Sequence, residues 1–193
     1  MVAGPAEGDG GETAPAGLGR TKGIVPSMPQ PIQPYRILFV CTGNIFRSLT
    51  ADVAMRALLA GNPAVHVSSA GTDNYPHVVW PYVQDYLLSK GYDVSAHRRR
   101  TLTRAIFEES DLVVPMSTDH QAIIKARFGR ETPLFLEACG EAADWLPDIV
   151  DVVRDYRTNR PAVEAHVRST IDRIVELAPR MAGNLDALRL KYL

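Results

Sequence analysis

At 193 residues the chain is long enough for one domain with a single sizeable core, and 46% hydrophobic with 22% charged residues is an ordinary globular balance. A formal net charge of −1 excludes a broad basic field for nucleic acid, and no apolar run approaches the ~20 residues of a membrane span. The N-terminus carries no apolar signal-peptide core, and two widely spaced cysteines fit a reducing compartment rather than a disulfide framework, so a cytoplasmic protein is expected.

Residues 1–34 are rich in Gly, Pro and Ala without periodicity, which predicts a disordered N-terminal extension. Arg36-Ile37-Leu38-Phe39-Val40 reads as a buried strand, and the segment from about 48 to 60 reads as a helix with Ser48 at its N-cap, stopped near Gly61-Asn62-Pro63. Val65–Ser69 alternates as a second strand. A loop over 70–76 leads to a helix over about 78–90, with Pro81 as an alternative start and Lys90-Gly91 at its end. His97-Arg98-Arg99-Arg100 is basic but short, and reads as a solvated turn. Thr103 caps a short helix to about Glu109, and Asp111–Pro115 is a third strand. Ser117, with Asp119-His120 in the first turn, caps a helix to Phe128 that Gly129 stops. Thr132–Leu136 reads as a short fourth strand, 137–159 as acidic loop, and Pro161 to about Met181 as a helix striped by Val163, Val167, Ile171, Ile174, Val175 and Ala178. The folded part spans 35–182, and 183–193 is a tail or helical extension. Alternating strands and helices predict an α/β fold: a four-stranded parallel sheet with helices on both faces and ligands at the carboxyl ends of its strands.

Cys41 stands at such an end. The loop Thr42-Gly43-Asn44-Ile45-Phe46 then feeds the helix that opens at Arg47-Ser48. Backbone N–H groups of a loop like this point inward and bind anions, and the helix dipole adds to the field, which favours a thiolate over a thiol. Arg47 can hold a phosphate through two parallel hydrogen bonds. Thiolate, oxyanion cradle and planar cation together make a phosphoryl-transfer site, with residues Thr42 to Ser48 binding phosphate. The bland alternative makes Cys41 a small buried hydrophobe. Asn44 suits a left-handed backbone position in the loop. His66, His77, His120 and His166 lack metal-ligand spacing and read as surface or packing residues.

The stretch resembles the low-molecular-weight protein tyrosine phosphatases, whose signature is Cys-x5-Arg-Ser near the chain start. Cys41, Gly43, Asn44, Arg47 and Ser48 match, and the resemblance runs from about Arg36 to about Pro179. It implies a flavodoxin-like three-layer fold and a phosphomonoester hydrolase with a phosphocysteine intermediate, needing no cofactor or metal. The implied partner is a phosphotyrosine protein or a small aryl phosphate, not nucleic acid or membrane. It implies that Asn44 braces the loop together with Ser48, Ser69 and His97, and that Tyr75 stands on the pocket rim. Ile45 stands where phosphoarginine-specific members carry Thr, so an aryl ester is implied. Phe46 stands where a second, protective Cys is often found, and Ser117 where the family often has Asp. The family draws its general acid from an Asp-Pro dipeptide, which this chain lacks. Spacing to the last long helix ranks Asp155 first, then Asp151, then Asp148. Two other readings stay open: a phosphate-binding member with weakened catalysis, and an arsenate reductase, for which Cys139 is the only further cysteine.

Overall fold

The computed structural model describes Met1, residues 33–142 and residues 144–192. The extension expected over 1–34 lies, apart from its ends, outside the described residues. The sheet is built on β1 (Tyr35–Cys41), with β2 (Val65–Gly71) on one side and β3 (Leu112–Pro115) on the other, in the order β2-β1-β3. Both pairings are parallel, and Ile37 lies between Val67 and Leu112. Every residue of β1 except Arg36 is buried, which explains its near-continuous apolar run.

Alternation along β1 sorts its side chains between two layers. Ile37, Phe39 and Cys41 face α1 (Arg47–Leu58), α7 (Arg160–Gly183) and α8 (Leu185–Tyr192); Ala51, Met55, Ile174, Met181 and Leu188 join them in one core. Leu38 and Val40 face α3 (Arg104–Glu108) and α4 (Thr118–Phe128), where Phe107 and Ile124 pack. A further apolar cluster joins α1, α7 and α2 (Pro81–Ser89) through Leu49, Val53, Val83, Leu87, Val167 and Ile171. Helices therefore cover both faces. β1 is joined to neighbours on opposite sides, so the crevice where the connections diverge opens at Cys41.

The fourth strand is corrected. Leu134 is extended, but the chain then turns into the short helix α5 (Phe135–Ala138), and among the described residues the sheet has three strands. Pro133 offers no N–H to a ladder. The apolar residues that mimicked a strand fill the core instead, with the Phe135 ring set edge-on to Phe39 at 6.1 Å. Within the stretch read as acidic loop lies a second short helix, α6 (Ile149–Val152). Thr103 caps α3 as expected, accepting from the Ile106 N–H at 3.2 Å, and Gly129 ends α4 at φ 73°. Among the described residues no helix is long and apolar enough to cross a membrane.

Candidate active site

The loop between β1 and α1 is held by Asn44, whose φ of 56° makes it the one non-glycine in the left-handed region among the described residues. A short polar side chain tolerates that conformation best, and here every polar atom of Asn44 is used. Its N–H points at Cys41 Sγ (3.3 Å), its Nδ2 donates to Ser48 Oγ (3.1 Å), and its Oδ1 accepts from the Arg100 N–H (2.9 Å). Its carbonyl faces His97 Nε2 at 2.8 Å. A carbonyl only accepts, so Nε2 carries the proton; burial also lowers the pKa of His97. Gly71, at the end of β2, lies so close that a Cβ there would stand 2.6 Å from the Thr42 carbonyl oxygen, so only glycine lets the two backbones meet.

Ser48 Oγ lies 3.0 Å from Cys41 Sγ. It already accepts from Asn44, which leaves its own proton free to point at sulfur. Ser48 is thus in the first turn of α1 rather than at its cap; the cap position is Phe46, without a side-chain hydrogen bond. Ile45 and Phe46 are buried against the α2–α7 cluster and also wall the pocket, as their apolar character requires.

Arg47 is only 2% exposed, so its charge must be answered by fixed partners. Nη1 donates to the Leu146 carbonyl at 2.8 Å, and Nη2 donates to the Asp148 carboxylate and to Thr42 Oγ1 at 3.4 Å. Asp148 is the N-cap of α6. Its Oδ1 accepts from the Ile149 N–H (2.8 Å), while Asp151 accepts from the Asp148 N–H (2.7 Å). A pocket of about 130 Å³ is lined by Cys41 and its loop together with Arg47, Asp148 and the apolar or aromatic Ile45, His77, Trp80 and Ile149. That volume admits the tip of one side chain rather than a whole cofactor.

Behind Thr42 lies His120, 3% exposed and bonded through both ring nitrogens. Nε2 is 3.0 Å from Thr42 Oγ1, and Nδ1 is 2.7 Å from Ser117 Oγ. Thr42 donates its one proton to Asp148 Oδ2 (3.2 Å), so Nε2 must donate to Thr42 and Nδ1 must accept from Ser117. The result is a one-directional wire, Ser117 to His120 to Thr42 to Asp148. Burial, and then the Arg47 guanidinium, hold the His120 pKa down to about 4 from 6.5, against the pull of Asp148. The unfolded chain therefore takes up its proton first as pH falls, and stability drops between about pH 6.5 and pH 4, by on the order of 3 kcal/mol in full. His120→Gln keeps a donor for Thr42 but cannot titrate. Urea midpoints measured at pH 7 and pH 4.5 should diverge less for this variant than for the wild type; an unchanged difference would refute the assignment.

Ser69 does not touch Asn44; it donates to Asp52 (2.8 Å), while its carbonyl takes the Arg100 guanidinium (3.0 Å). Tyr75 is 66% exposed and packs on the His77 ring at 5.1 Å, outside the pocket lining. Asp151 supports Asp148 rather than facing Cys41. Asp155 is exposed and its carboxylate accepts from Asn159 Nδ2 (3.0 Å), away from the pocket. Cys139 is a core residue, its thiol pushed up to about 12 by burial, and it does not line the pocket.

Sequence reading placed Asp148 last, took His120 for a surface or packing residue and gave Trp80, Arg99 and Arg100 no role at the site. The Asp148-x-x-Asp151 spacing carried the signal of a helix start, and Ser117 three residues before His120 is the spacing of facing side chains on a first turn. Arg99 donates Nε to the Gly43 carbonyl (3.1 Å) and Nη2 to the Asp73 carbonyl, so the basic tetrad is a strap across the loop.

Residues 36–186 match the sequence model of the family described as low molecular weight phosphotyrosine protein phosphatase. The chain is 31% identical over 96 residues to the probable low molecular weight protein-tyrosine-phosphatase EpsP of Ralstonia solanacearum, which covers 50% of this chain and 65% of that protein. It is 34% identical over 96 residues to a protein-arginine-phosphatase of Bacillus subtilis, covering 49% of this chain and 63% of that protein. These matches thus span somewhat under two thirds of the relatives' own length. The structure of the YwlE arginine phosphatase from Geobacillus stearothermophilus superposes with a TM-score of 0.66 at 26% identity, covering 83% of this chain and 98% of that one. With the Cys41–Arg47 loop at the end of β1 and a match that runs from β1 into α8, this chain belongs to the low molecular weight phosphotyrosine protein phosphatase family.

Proposed function

We propose that the protein is a phosphomonoester hydrolase acting on phosphotyrosine in phosphoproteins, with Cys41 as nucleophile, Arg47 as phosphate clamp and Asp148 as general acid. The observation that carries this reading is the convergence of the Cys41 sulfur, a buried guanidinium and a carboxylate on one small pocket with apolar walls. The Cys41 thiolate attacks phosphorus in line and forms the S–P bond as the bond to the phenolic oxygen breaks. Asp148 gives its proton to that oxygen, and tyrosine leaves. Water then attacks phosphorus and gives a proton to the Asp148 carboxylate. The S–P bond breaks, the thiolate returns and inorganic phosphate is released. Loop N–H groups and Arg47 hold the equatorial oxygens, and the Ser48 hydroxyl steadies the sulfur as it leaves.

In the free protein Asp148 occupies Arg47 Nη2. An arriving dianion takes that place on the guanidinium and frees the carboxyl group to turn toward the leaving oxygen. Asp148 rather than Asp155 is supported by its placement: it lines the pocket, whereas Asp155 faces solvent. The apolar Ile45 and Trp80 walls favour an aromatic ring over a guanidino group. The test is inorganic phosphate release from one peptide carrying phosphotyrosine or phosphoarginine at the same position. Faster turnover of phosphotyrosine is expected. Turnover of phosphoarginine alone would move the substrate to the P–N phosphoramidate, and phosphate bound without release would leave a binding module.

A further inference from the structure

The strap that braces the loop also forms the floor of a second groove. His77, which walls the Cys41 pocket, is shared with a groove of about 370 Å³ lined by Val79, Gln84, His97, Arg98 and Arg99. No carboxylate lines it. Arg98, Arg99 and Arg100 stand side by side, yet among the described residues none pairs with an acidic side chain. Arg98 donates to the Ser95 carbonyl (3.2 Å) and the His97 carbonyl (2.9 Å), Arg99 to Gly43 and Asp73, and Arg100 to Ser69. The nearby carboxylates are otherwise occupied: Asp73 takes His77 Nε2 (2.9 Å) and the Tyr75 N–H (2.6 Å), and Asp93 takes the Ser95 N–H (2.8 Å). Asp73 also feels the charge of Arg99, but Arg98 is held by carbonyl oxygens alone, which fix where a guanidinium sits without neutralising it, so its charge is left to attract an anion from outside.

We infer that this groove receives an acidic residue flanking the phosphorylated one, so that Arg98 and Arg99 select phosphoprotein substrates with Asp or Glu beside the phosphotyrosine. The inference rests on the phosphatase reading above and deepens it. A chain lying across His77 places its phosphorylated side chain over Cys41 and a neighbouring residue over the basic groove. Arg99 also holds the Gly43 carbonyl, so a change there disturbs the loop; Arg98 touches only carbonyls of its own turn and is the cleaner probe.

The experiment compares three phosphotyrosine peptides, with Glu on the N-terminal flank, Glu on the C-terminal flank, or Gln on both. It uses the full chain and Arg98→Gln, each normalised to its own turnover of a small aryl phosphate. For the wild type, kcat/KM should be about fivefold higher for one Glu peptide than for the Gln peptide, the scale of an exposed ion pair, and the ratio should shrink as salt rises. In Arg98→Gln the ratio should fall close to one. Equal use of all three peptides, a preference for the Gln peptide, or a preference that survives Arg98→Gln would overturn the inference. Loss of turnover on the small aryl phosphate by the wild type would instead overturn the phosphatase reading, and the inference with it.

Discussion

Cys41→Ser should lower turnover of an aryl phosphate by at least about 10⁴-fold while leaving the fold intact. The sulfur is surrounded by donors: the Asn44 N–H at 3.3 Å and the Ser48 hydroxyl at 3.0 Å. Donors stabilise a thiolate, which is a strong nucleophile. They do nothing for a serine hydroxyl, which needs a base to remove its proton, and no base touches that position. Arg47 and the loop N–H groups survive the change, so the variant should still bind inorganic phosphate. Binding would show as a rise in melting temperature with phosphate concentration. A Cys41→Ser protein that keeps more than a hundredth of wild-type turnover would remove the cysteine mechanism. One that neither turns over nor is stabilised by phosphate would show a collapsed loop instead.

Asp148→Asn should cost about 10²–10³-fold in kcat, and more for phenyl phosphate than for p-nitrophenyl phosphate, because the more basic leaving oxygen depends more on a proton donor. Asp155→Asn should change kcat less than twofold on either ester, in line with the small effect of exposed substitutions away from a site. The comparison between esters matters. Asp148 also holds Arg47, and loss of that contact alone would slow both esters equally. Equal losses would therefore assign Asp148 a positioning role, and a large, ester-dependent loss in Asp155→Asn would restore the ranking that spacing implies.

The parts of this molecule that were legible in the sequence are those governed by local rules. The β1 run, the Asn44 turn, the Thr103 cap and the Gly129 stop each follow from residues within a few positions of one another, and each stands where expected. The fourth strand failed because a short apolar run looks the same whether it feeds a ladder or a core, and Phe135 feeds the core. The ranking of the three aspartates measured distance to α7 as if nothing intervened. Helix α6 and the turn after it intervene, and Asp155 stands exposed while α6's own cap, Asp148, lines the pocket. His120 was illegible for a different reason. Its partners Ser117 and Thr42 are three and 78 residues away, and no periodicity within one helix reports on the longer separation.

Two of the three guanidinium partners of Arg47, the Leu146 carbonyl and the Asp148 carboxylate, are 99 and 101 residues further along the chain. During synthesis the nucleophile and its cradle leave the ribosome about 5–20 s before the groups that close them in. For that interval the nascent thiol has no wall on its open side and its cation no counter-charge. A chain ending before residue 146 carries the sequences of all three strands but neither of these two groups, so the pocket is complete only once residue 148 has emerged.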